Sequence, residues 1–332
     1  MEKILLNKKM VLIISQDDER STEDVINWLE FNNTPYIRLN NTSVLKFKKI
    51  LIENDEYELV FEFDNKIINS SQIGNCWYRR GRLNFTFNYL EVKSDFEILL
   101  NEQLKIENSF IIKFFHDYFN SKKFSLGSIF DNDTNKISNL FYANKFGLRV
   151  PDTLITSNKL DLIYFINKHK NIITKSIGQA GLLYINNNKQ LDGLTTVFNV
   201  KDLPNISNEF SPSLFQECID KLFEIRVFYL NGTCYSSAIF SQNDPQTSVD
   251  FRNYNMEKPN RTPPIILPKD TSEKINNLMN YLKMKTGSID IIVSKTYECF
   301  FLEINPIGQF HQVSHPCNYY LELKIAEYLS LN

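Results

Sequence analysis

The sequence predicts a mixed α/β (α+β) protein, and two patterns along the chain carry this prediction. Near the start, the apolar run VLIIS (residues 11–15) is typical of a buried parallel strand. The helical pattern STEDVINWLEFNN follows it, and Pro35 then leads into a second strand, YIRL. In the second half, apolar strands are joined by short turns such as Asn231-Gly232, which favours antiparallel hairpins. A β-α-β start followed by hairpins and separate helices therefore indicates parallel and antiparallel parts in one chain.

Length and composition exclude several classes of protein. A chain of 332 residues can hold two or three domains, and its content of 42% hydrophobic and 13% aromatic residues is typical of a globular protein. The net charge of −2 gives no field that would favour nucleic acid or a membrane surface as a partner. The five cysteines form an odd set without a CxxC pair, which favours reduced thiols and a cytoplasmic location. No apolar run reaches the ~18 residues that a membrane-spanning helix needs.

The N-terminal part is predicted to be a small α/β domain over residues 1–125. Ser21 is a candidate N-cap for the first helix, whose apolar face begins at Val25. A strand with a basic run, CWYRRGRL, and an aromatic-rich helical stretch at 92–124 complete the domain. The arginines of the basic run could receive an acidic peptide, and a solvated strand end explains them equally well. The domain lacks a GxGxxG motif, so it is not expected to bind a dinucleotide.

Two polar connectors divide the rest of the chain. SLGSIFDNDTN precedes a helix that ends at Gly147, and SNEFSPS follows a predicted hairpin of NIITKSI with GLLYI. We therefore expect a central subdomain at 126–206 and a C-terminal subdomain at 207–332. The later elements are predicted as a helix at 271–285, strands at 288–294 and 298–304, and a final amphipathic helix, NYYLELKIAEYL.

An acid and an amide lie two residues apart in FLEINPIGQF, residues 301–310. Glu303 and Asn305 would face the same side of a strand, because side chains alternate along it. Asp290 lies on the preceding predicted strand, and antiparallel pairing would bring it beside them. Three oxygen donors in one place suit Mg²⁺. If FLEIN is taken alone, a solvated turn at a strand end explains it better.

A lysine before a glycine-containing loop indicates a phosphate site. Lys175 ends an apolar strand directly before SIGQAG, where Gly178 and Gly181 would let backbone N–H groups approach phosphate oxygens closely. The lysine would add the matching point charge. A hairpin with a surface lysine explains the same stretch. No GxxxxGK[ST], kinase HRD or GxSxG motif occurs, so the common alternatives for phosphate and acyl chemistry lack support.

Charged residues also lie inside apolar strands farther along the chain. Glu217 stands in LFQECID, where a buried acid needs a partner, although a solvent-facing edge position is equally compatible. Glu224 and Arg226 share one strand face in FEIRVFYLNG. Asp250 and Arg252 follow in a segment too long for a simple connection. Arginines here could neutralise a transferring phosphoryl group, and a salt-bridged surface would use the same residue types.

In this order the motifs resemble the ATP-grasp superfamily, over about residues 130–332, with a pre-grasp domain at the N-terminus. The resemblance implies ATP and Mg²⁺ as cofactors. Residues expected at the nucleotide are Lys136, Lys175, Gly178, Gly181, Gln216, Glu217, Cys218, Ile219, Glu224 and Arg252. The expected Mg²⁺ ligands are Asp290, Glu303 and Asn305. Candidate catalytic residues are Arg226 and Arg252 on the phosphate side and Glu224 or Asp250 as a base.

A closer resemblance runs nearly from end to end. The segments NCWYRR, GSIFDNDTNKISNL, VDFRNY and FLEINPIGQF are similar to those of graspetide (microviridin-type, omega-ester peptide) maturases of the grasp-with-spasm branch. The family implies a ligase that uses ATP to activate core Asp or Glu side chains of a precursor peptide. Ser, Thr or Lys side chains then form ester or amide rings. The expected partner is a peptide with a leader and an acidic, Thr/Lys-rich core, and the resemblance leaves room for a homodimer.

Two other functions stay open on the sequence alone. One is a ligase of the same fold that adds a free amino acid to a peptide or protein. The other is a peptide-binding module without catalysis, against which the intact lysine, arginine and Mg²⁺ set argues.

Overall fold

The structure, a computed structural model, describes residues 8–331 apart from a few positions. These positions are 134, 179–182, 185–189, 192–194, 248, 252 and 254, and the side chains of 133, 183, 184, 190 and 191 are also left undescribed. The chain divides into two compact units. One comprises Met1–Asn132 with Tyr320–Asn332, and the other comprises Asp133–Tyr319.

The strands and helices have the following bounds. The strands are β1 (Met10–Ile14), β2 (Tyr36–Leu39), β3 (Val44–Glu53), β4 (Glu56–Phe63), β5 (Lys66–Asn69), β6 (Ile73–Tyr78), β7 (Asn84–Thr86), β8 (Thr153–Asn158), β9 (Ile172–Lys175), β10 (Leu183–Tyr184), β11 (Gln190–Leu191), β12 (Thr196–Phe198), β13 (Glu209–Glu217), β14 (Lys221–Leu230), β15 (Thr233–Ile239), β16 (Thr286–Ser294) and β17 (Cys299–Asn305). The helices are α1 (Arg20–Phe31), α2 (Asp95–Asn120), α3 (Lys136–Lys145), α4 (Lys159–His169), α5 (Lys269–Tyr281), α6 (His311–Cys317) and α7 (Leu321–Leu329). None of these helices is both long and apolar enough to cross a lipid bilayer.

The first unit contains a parallel sheet and a mostly antiparallel one. The parallel sheet has the order β2-β1-β6, and α1 packs with α7. The predicted β-α-β start is therefore confirmed, and Val11–Ile14 are buried as one continuous apolar run. The second sheet has the order β5-β4-β3-β7, and the aromatic C-terminal end of α2 packs on it through Phe115, whose ring lies 4.8 Å from that of Phe85.

One helix start differs from the prediction. Helix α1 begins at Arg20 with Glu19 as N-cap, so Ser21 is not the cap. The Ser21 hydroxyl instead donates to the Glu19 carboxylate, and the Arg79 Nε donates to Ser21 over 2.9 Å. Arg79 is buried and lies 3.1 Å from Glu19, which explains why this arginine of the basic run does not face solvent.

The second unit contains two antiparallel four-stranded sheets, in the orders β12-β9-β13-β8 and β15-β14-β16-β17. Helix α4 covers the first sheet through Leu162, Phe165 and Ile166. Helices α3 and α5 pack against the second sheet, where Leu278 and Met279 are fully buried. The expected mixed α/β (α+β) architecture is thus confirmed.

Most predicted elements of the second unit are observed, with one exception. The predicted strands at 288–294 and 298–304 are present as the antiparallel pair β16 and β17. The predicted hairpin of 171–177 with 181–185 is wrong. Strand β9 pairs with β12 on one side and β13 on the other, so neither of its edges is free, and β10 pairs with β11 instead.

Candidate active site

Three neighbouring strands of the second sheet place charged side chains in one row. Arg226 on β14 lies directly opposite Asp290 on β16, and Asp290 lies directly opposite Glu303 on β17. Directly opposed residues point to the same face of a sheet. The Arg226 Nη1 donates to both Asp290 oxygens, at 2.6 and 2.7 Å. All three side chains are buried, so each charge needs the others to offset its loss of hydration.

The row continues with an amide and a second cation. Asn305 follows Glu303 on the same face, and its Nδ2 lies 3.4 Å from Glu303 Oε1. The Nζ of Lys136, at the start of α3, lies 3.4 Å from the other Glu303 oxygen. The structure therefore brings together the three residues predicted as metal ligands, and it adds Lys136, which was predicted at the nucleotide.

Glu224 lies two residues before Arg226 and is also buried. Its carboxylate pairs with the Lys221 ammonium, while its Oε2 has no hydrogen-bond partner among the described residues. Burial raises the pKa of Glu224 to about 7, although the charge of Lys221 opposes the shift. A carboxyl group of this kind can hold or release a proton near neutral pH.

A cleft of about 380 Å³ is lined by Asp290 and Glu303 of this row and by Glu224, whereas Arg226, Asn305 and Lys136 are not among its lining residues. Apolar side chains such as Ile173, Ile292 and Leu302 form much of its wall. The lining also includes predicted site residues from both sheets and from the segments between strands, namely Lys175, Gln216, Glu217, Cys218, Ile219, Glu224, Asp250, Asp290 and Glu303. A mostly apolar cleft with a few convergent charged groups is the usual form of a small-molecule site.

Comparisons with known proteins give structural matches but no sequence family. No protein-family model matches the chain, and no curated protein matches it either. An RiPP-associated ATP-grasp ligase from Chryseobacterium gregarium, solved with ADP and a leader and core peptide, is 23% identical over 97% of this chain and 95% of its own, with a TM-score of 0.76. The macrocyclase MdnC from Microcystis aeruginosa MRC, solved with precursor peptide MdnA, is 25% identical over 96% of this chain and 99% of its own, with a TM-score of 0.72. The macrocyclase MdnB from the same organism is 19% identical over 98% of this chain and 100% of its own, with a TM-score of 0.70.

The chain has the ATP-grasp fold. The fold that the motif order implies is thus confirmed over nearly the whole chain. Within it, the two sheets of the second unit form the two walls of the ATP-grasp cleft, and the segment after β13 connects them. The division of the chain into three domains at 125 and 206 stays a prediction. The observed units place 320–332 with the N-terminal residues.

The last two residues of β13 and the residue after them line the cleft, and several of their polar atoms already have partners within the protein. Gln216 is fully buried, and its Nε2 donates to Thr153 Oγ1 over 2.9 Å. One Glu217 oxygen lies 3.2 Å from His169 Nδ1. Cys218 is exposed, and its backbone N–H already donates to the Asn171 carbonyl. The side chains of Gln216 and Glu217 are therefore partly engaged by the protein itself.

The two walls are also joined by Asp250. It lies in the long segment after β15 and is buried, and its Oδ2 accepts the backbone N–H of Thr195 at 3.3 Å. Thr195 directly precedes β12 of the opposite sheet. Of the remaining predicted residues, Gly178 is exposed, and no atom of the described residues lies within 4 Å of the place that a Cβ would take. Gly181 and Arg252 lie outside the described residues.

Sequence reasoning missed Lys221. A lysine three residues before Glu224 would face the other side of a regular strand. The pairing of β14 with β16 shifts between Lys221 and Phe223, so an irregularity brings Lys221 round to the Glu224 face. The residue types of β14 alone do not reveal such a shift.

Proposed function

We propose that the protein is an ATP-dependent macrocyclase that closes rings in a ribosomally made precursor peptide. The observation that carries this proposal is the buried row of Arg226, Asp290 and Glu303, whose two acids line an ATP-grasp cleft. Among proteins of the same fold, MdnC was solved with its precursor peptide and the Chryseobacterium ligase with ADP, a leader and a core peptide. These ligands support a nucleotide and a precursor peptide as the partners of this chain.

The proposed reaction has two steps. A core Asp or Glu carboxylate attacks the γ-phosphorus of ATP, the bond to the bridging oxygen breaks, and ADP leaves behind an acyl phosphate. A Ser or Thr hydroxyl, or a Lys amine, of the same peptide then attacks the acyl carbon. The bond to phosphate breaks, inorganic phosphate leaves, and the proton of the nucleophile passes to a base. Each ring therefore removes one water from the peptide.

The donor set fits Mg²⁺. Asp290 and Glu303 offer carboxylate oxygens and Asn305 an amide oxygen, which are the hard ligands that Mg²⁺ takes. Arg226 uses both Asp290 oxygens, but a carboxylate has about four acceptor positions, so a metal can share them. When bound, Mg²⁺ would offset phosphate charge. We propose these three residues as its ligands.

The remaining residues would position and neutralise the reacting groups. Phosphoryl transfer needs positioning and charge stabilisation more than covalent help from the protein. We propose that Arg226 holds the acyl phosphate and that Lys136, Lys175 and Arg252 contact the nucleotide. Glu224 or Asp250 would accept the proton, and the pKa of about 7 that burial gives Glu224 suits that task.

Mass spectrometry of the peptide product tests the proposal. Purified protein is incubated with ATP, Mg²⁺ and a candidate precursor that has a leader and an acidic, Thr/Lys-rich core. Loss of one water per ring, with release of ADP and phosphate, is the expected result. A gain in mass equal to an added amino acid would favour the ligase that adds free amino acids. An unchanged peptide across several cognate candidates would favour a binding module.

A further inference from the structure

A buried lysine, Lys221, lies at the start of β14 beside the cleft, and no predicted role uses it. Its ammonium pairs with the Glu224 carboxylate and donates to the Val249 carbonyl over 3.1 Å. The side chain is 7% exposed. Burying an ammonium group is costly unless charged and polar partners surround it. The Glu224 carboxylate and the Val249 carbonyl are the partners that offset this cost for Lys221.

The pair leaves half of the Glu224 carboxylate unused. The Oε2 atom is buried and has no hydrogen-bond partner among the described residues, and Glu224 lines the cleft. A buried carboxylate oxygen without a donor is destabilising, and a ligand that brings O–H or N–H donors relieves that cost. The two vicinal hydroxyls of a nucleotide ribose are donors of this kind.

The second contact reaches the segment Val249–Phe251, which also lines the cleft. Val249 is held by Lys221, and the next residue, Asp250, accepts the Thr195 N–H from the opposite wall. Lys221 therefore connects the acid on β14 to the segment that joins the two walls.

We infer that Lys221 is a positioning residue for the nucleotide sugar. It turns Glu224 so that Oε2 accepts hydrogen bonds from the ribose hydroxyls. With both oxygens of Glu224 engaged in this way, Asp250 is the base that accepts the proton of the nucleophile. This inference rests on the proposed function, because it requires a nucleotide in the cleft.

The test compares two ligands, ADP and 2′,3′-dideoxy-ADP, by calorimetry in the presence of Mg²⁺. Wild-type protein is expected to bind ADP about 10- to 100-fold more tightly, since hydrogen bonds to a charged group are lost with the hydroxyls. Lys221→Met should lose most of this preference through weaker ADP binding, while its affinity for dideoxy-ADP stays unchanged. Glu224→Gln should show the same loss. Lys269→Met, which alters an exposed lysine on α5, is the matched control and should keep the full preference.

A double variant separates positioning from general structural support. If Lys221 acts through Glu224, Lys221→Met in the Glu224→Gln background removes nothing more, because the two effects are not additive. This variant also lacks the unpaired buried charge, so it answers the question if Lys221→Met alone fails to fold. If the double variant binds both ADP and dideoxy-ADP more weakly than Glu224→Gln does, and by the same factor, the inference is overturned.

The remaining outcomes are distinct. If Lys221→Met binds ADP weakly but keeps the wild-type preference for ADP over dideoxy-ADP, the lysine does not act on the sugar. This result would leave the proposed function intact. Wild-type protein that binds neither nucleotide contradicts the proposed function itself.

Discussion

Arg226 donates from Nη1 to both oxygens of Asp290, while its Nε is buried without a hydrogen-bond partner among the described residues. A guanidinium used only to balance Asp290 would not leave a buried donor idle. We expect the free donor to meet a further acceptor when a ligand binds, and the acyl phosphate of the proposed reaction is such an acceptor.

Arg226→Lys should therefore keep nucleotide binding and slow ring formation by about 100-fold, because a point charge cannot reproduce a planar, multi-donor contact. The affinity for ADP is measured by calorimetry and the rate of ring formation by the mass shift of the peptide, both on one preparation. Arg149→Lys is the matched control, since Arg149 forms an exposed pair with Glu298 in the same unit. Near-normal ring formation by Arg226→Lys would show that the arginine only balances Asp290.

Glu303→Ala is the preferred test of the proposed metal ligands. Asp290→Ala is less suitable, because it would leave Arg226 buried and without its charged partner. We expect the variant to fold, to lose the Mg²⁺ dependence of ADP binding, and to form no rings. Titration of ADP binding against Mg²⁺ provides the measurement. Glu298→Ala, at an exposed acid near the start of β17, should behave as wild type. Full activity of Glu303→Ala with Mg²⁺ would contradict the site assignment.

At the scale of secondary-structure elements, some strands and their pairings could be predicted from the sequence and others could not. Alternation and turn chemistry predict β16 and β17 and the shared face of Asp290 and Glu303, because the two strands are joined by a short turn and pair in step from Ser288 to Asp290. The register shift directly after Asp290 could not be predicted from the residue types. The partner of β9 could not be predicted, because a short apolar strand matches several neighbours and tertiary packing chooses among them. The irregularity in β14 is likewise a three-dimensional event, so Lys221 stayed hidden.

At the carboxyl end of the parallel sheet, Arg79→Ala should lower stability by about 3 kcal/mol, at the lower end for breaking a buried ion pair. The reduction is limited because Arg80 Nε still lies 2.9 Å from Glu19. Burial alone would raise the pKa of Glu19, but the Ser21 hydrogen bond and the charges of Arg79 and Arg80 outweigh it, so the pKa is lowered.

A lowered carboxyl pKa stabilises the fold above its unfolded value of 4.5, and this contribution disappears as the pH falls through the folded value. The difference between wild type and Arg79→Ala should therefore be full at pH 7 and shrink in acid. Thermal unfolding at several pH values measures it, with Arg82→Ala at an exposed arginine as control. A difference that does not change with pH would assign the loss to packing alone.

On the scale of the whole molecule, activity should depend on the complete precursor. Binding energy from a leader segment far from the reacting groups can position the core and raise the rate. We expect a core peptide without its leader to be cyclised far more slowly than the full precursor at equal concentration, as followed by mass shift over time. Equal rates for both, or efficient addition of free glutamate to an unrelated peptide, would contradict the macrocyclase assignment.

The final helix shows what periodicity cannot decide. The pattern NYYLELKIAEYL correctly predicts an apolar face, and Leu321, Ile325 and Leu329 are buried. The pattern does not say which neighbours cover that face. Helix α7 packs with α1 and β6 in the first unit, although the residues just before it belong to the second.

This placement of α7 has a consequence for the order in which the molecule matures during translation. The second unit is a continuous stretch and can fold as soon as it has left the ribosome. The first unit is made from both ends of the described chain, so its apolar surface around α1 stays uncovered until α7 has been synthesised. The first unit thus obtains its last helix only after the whole second unit has been synthesised, although α1 is among the first elements made.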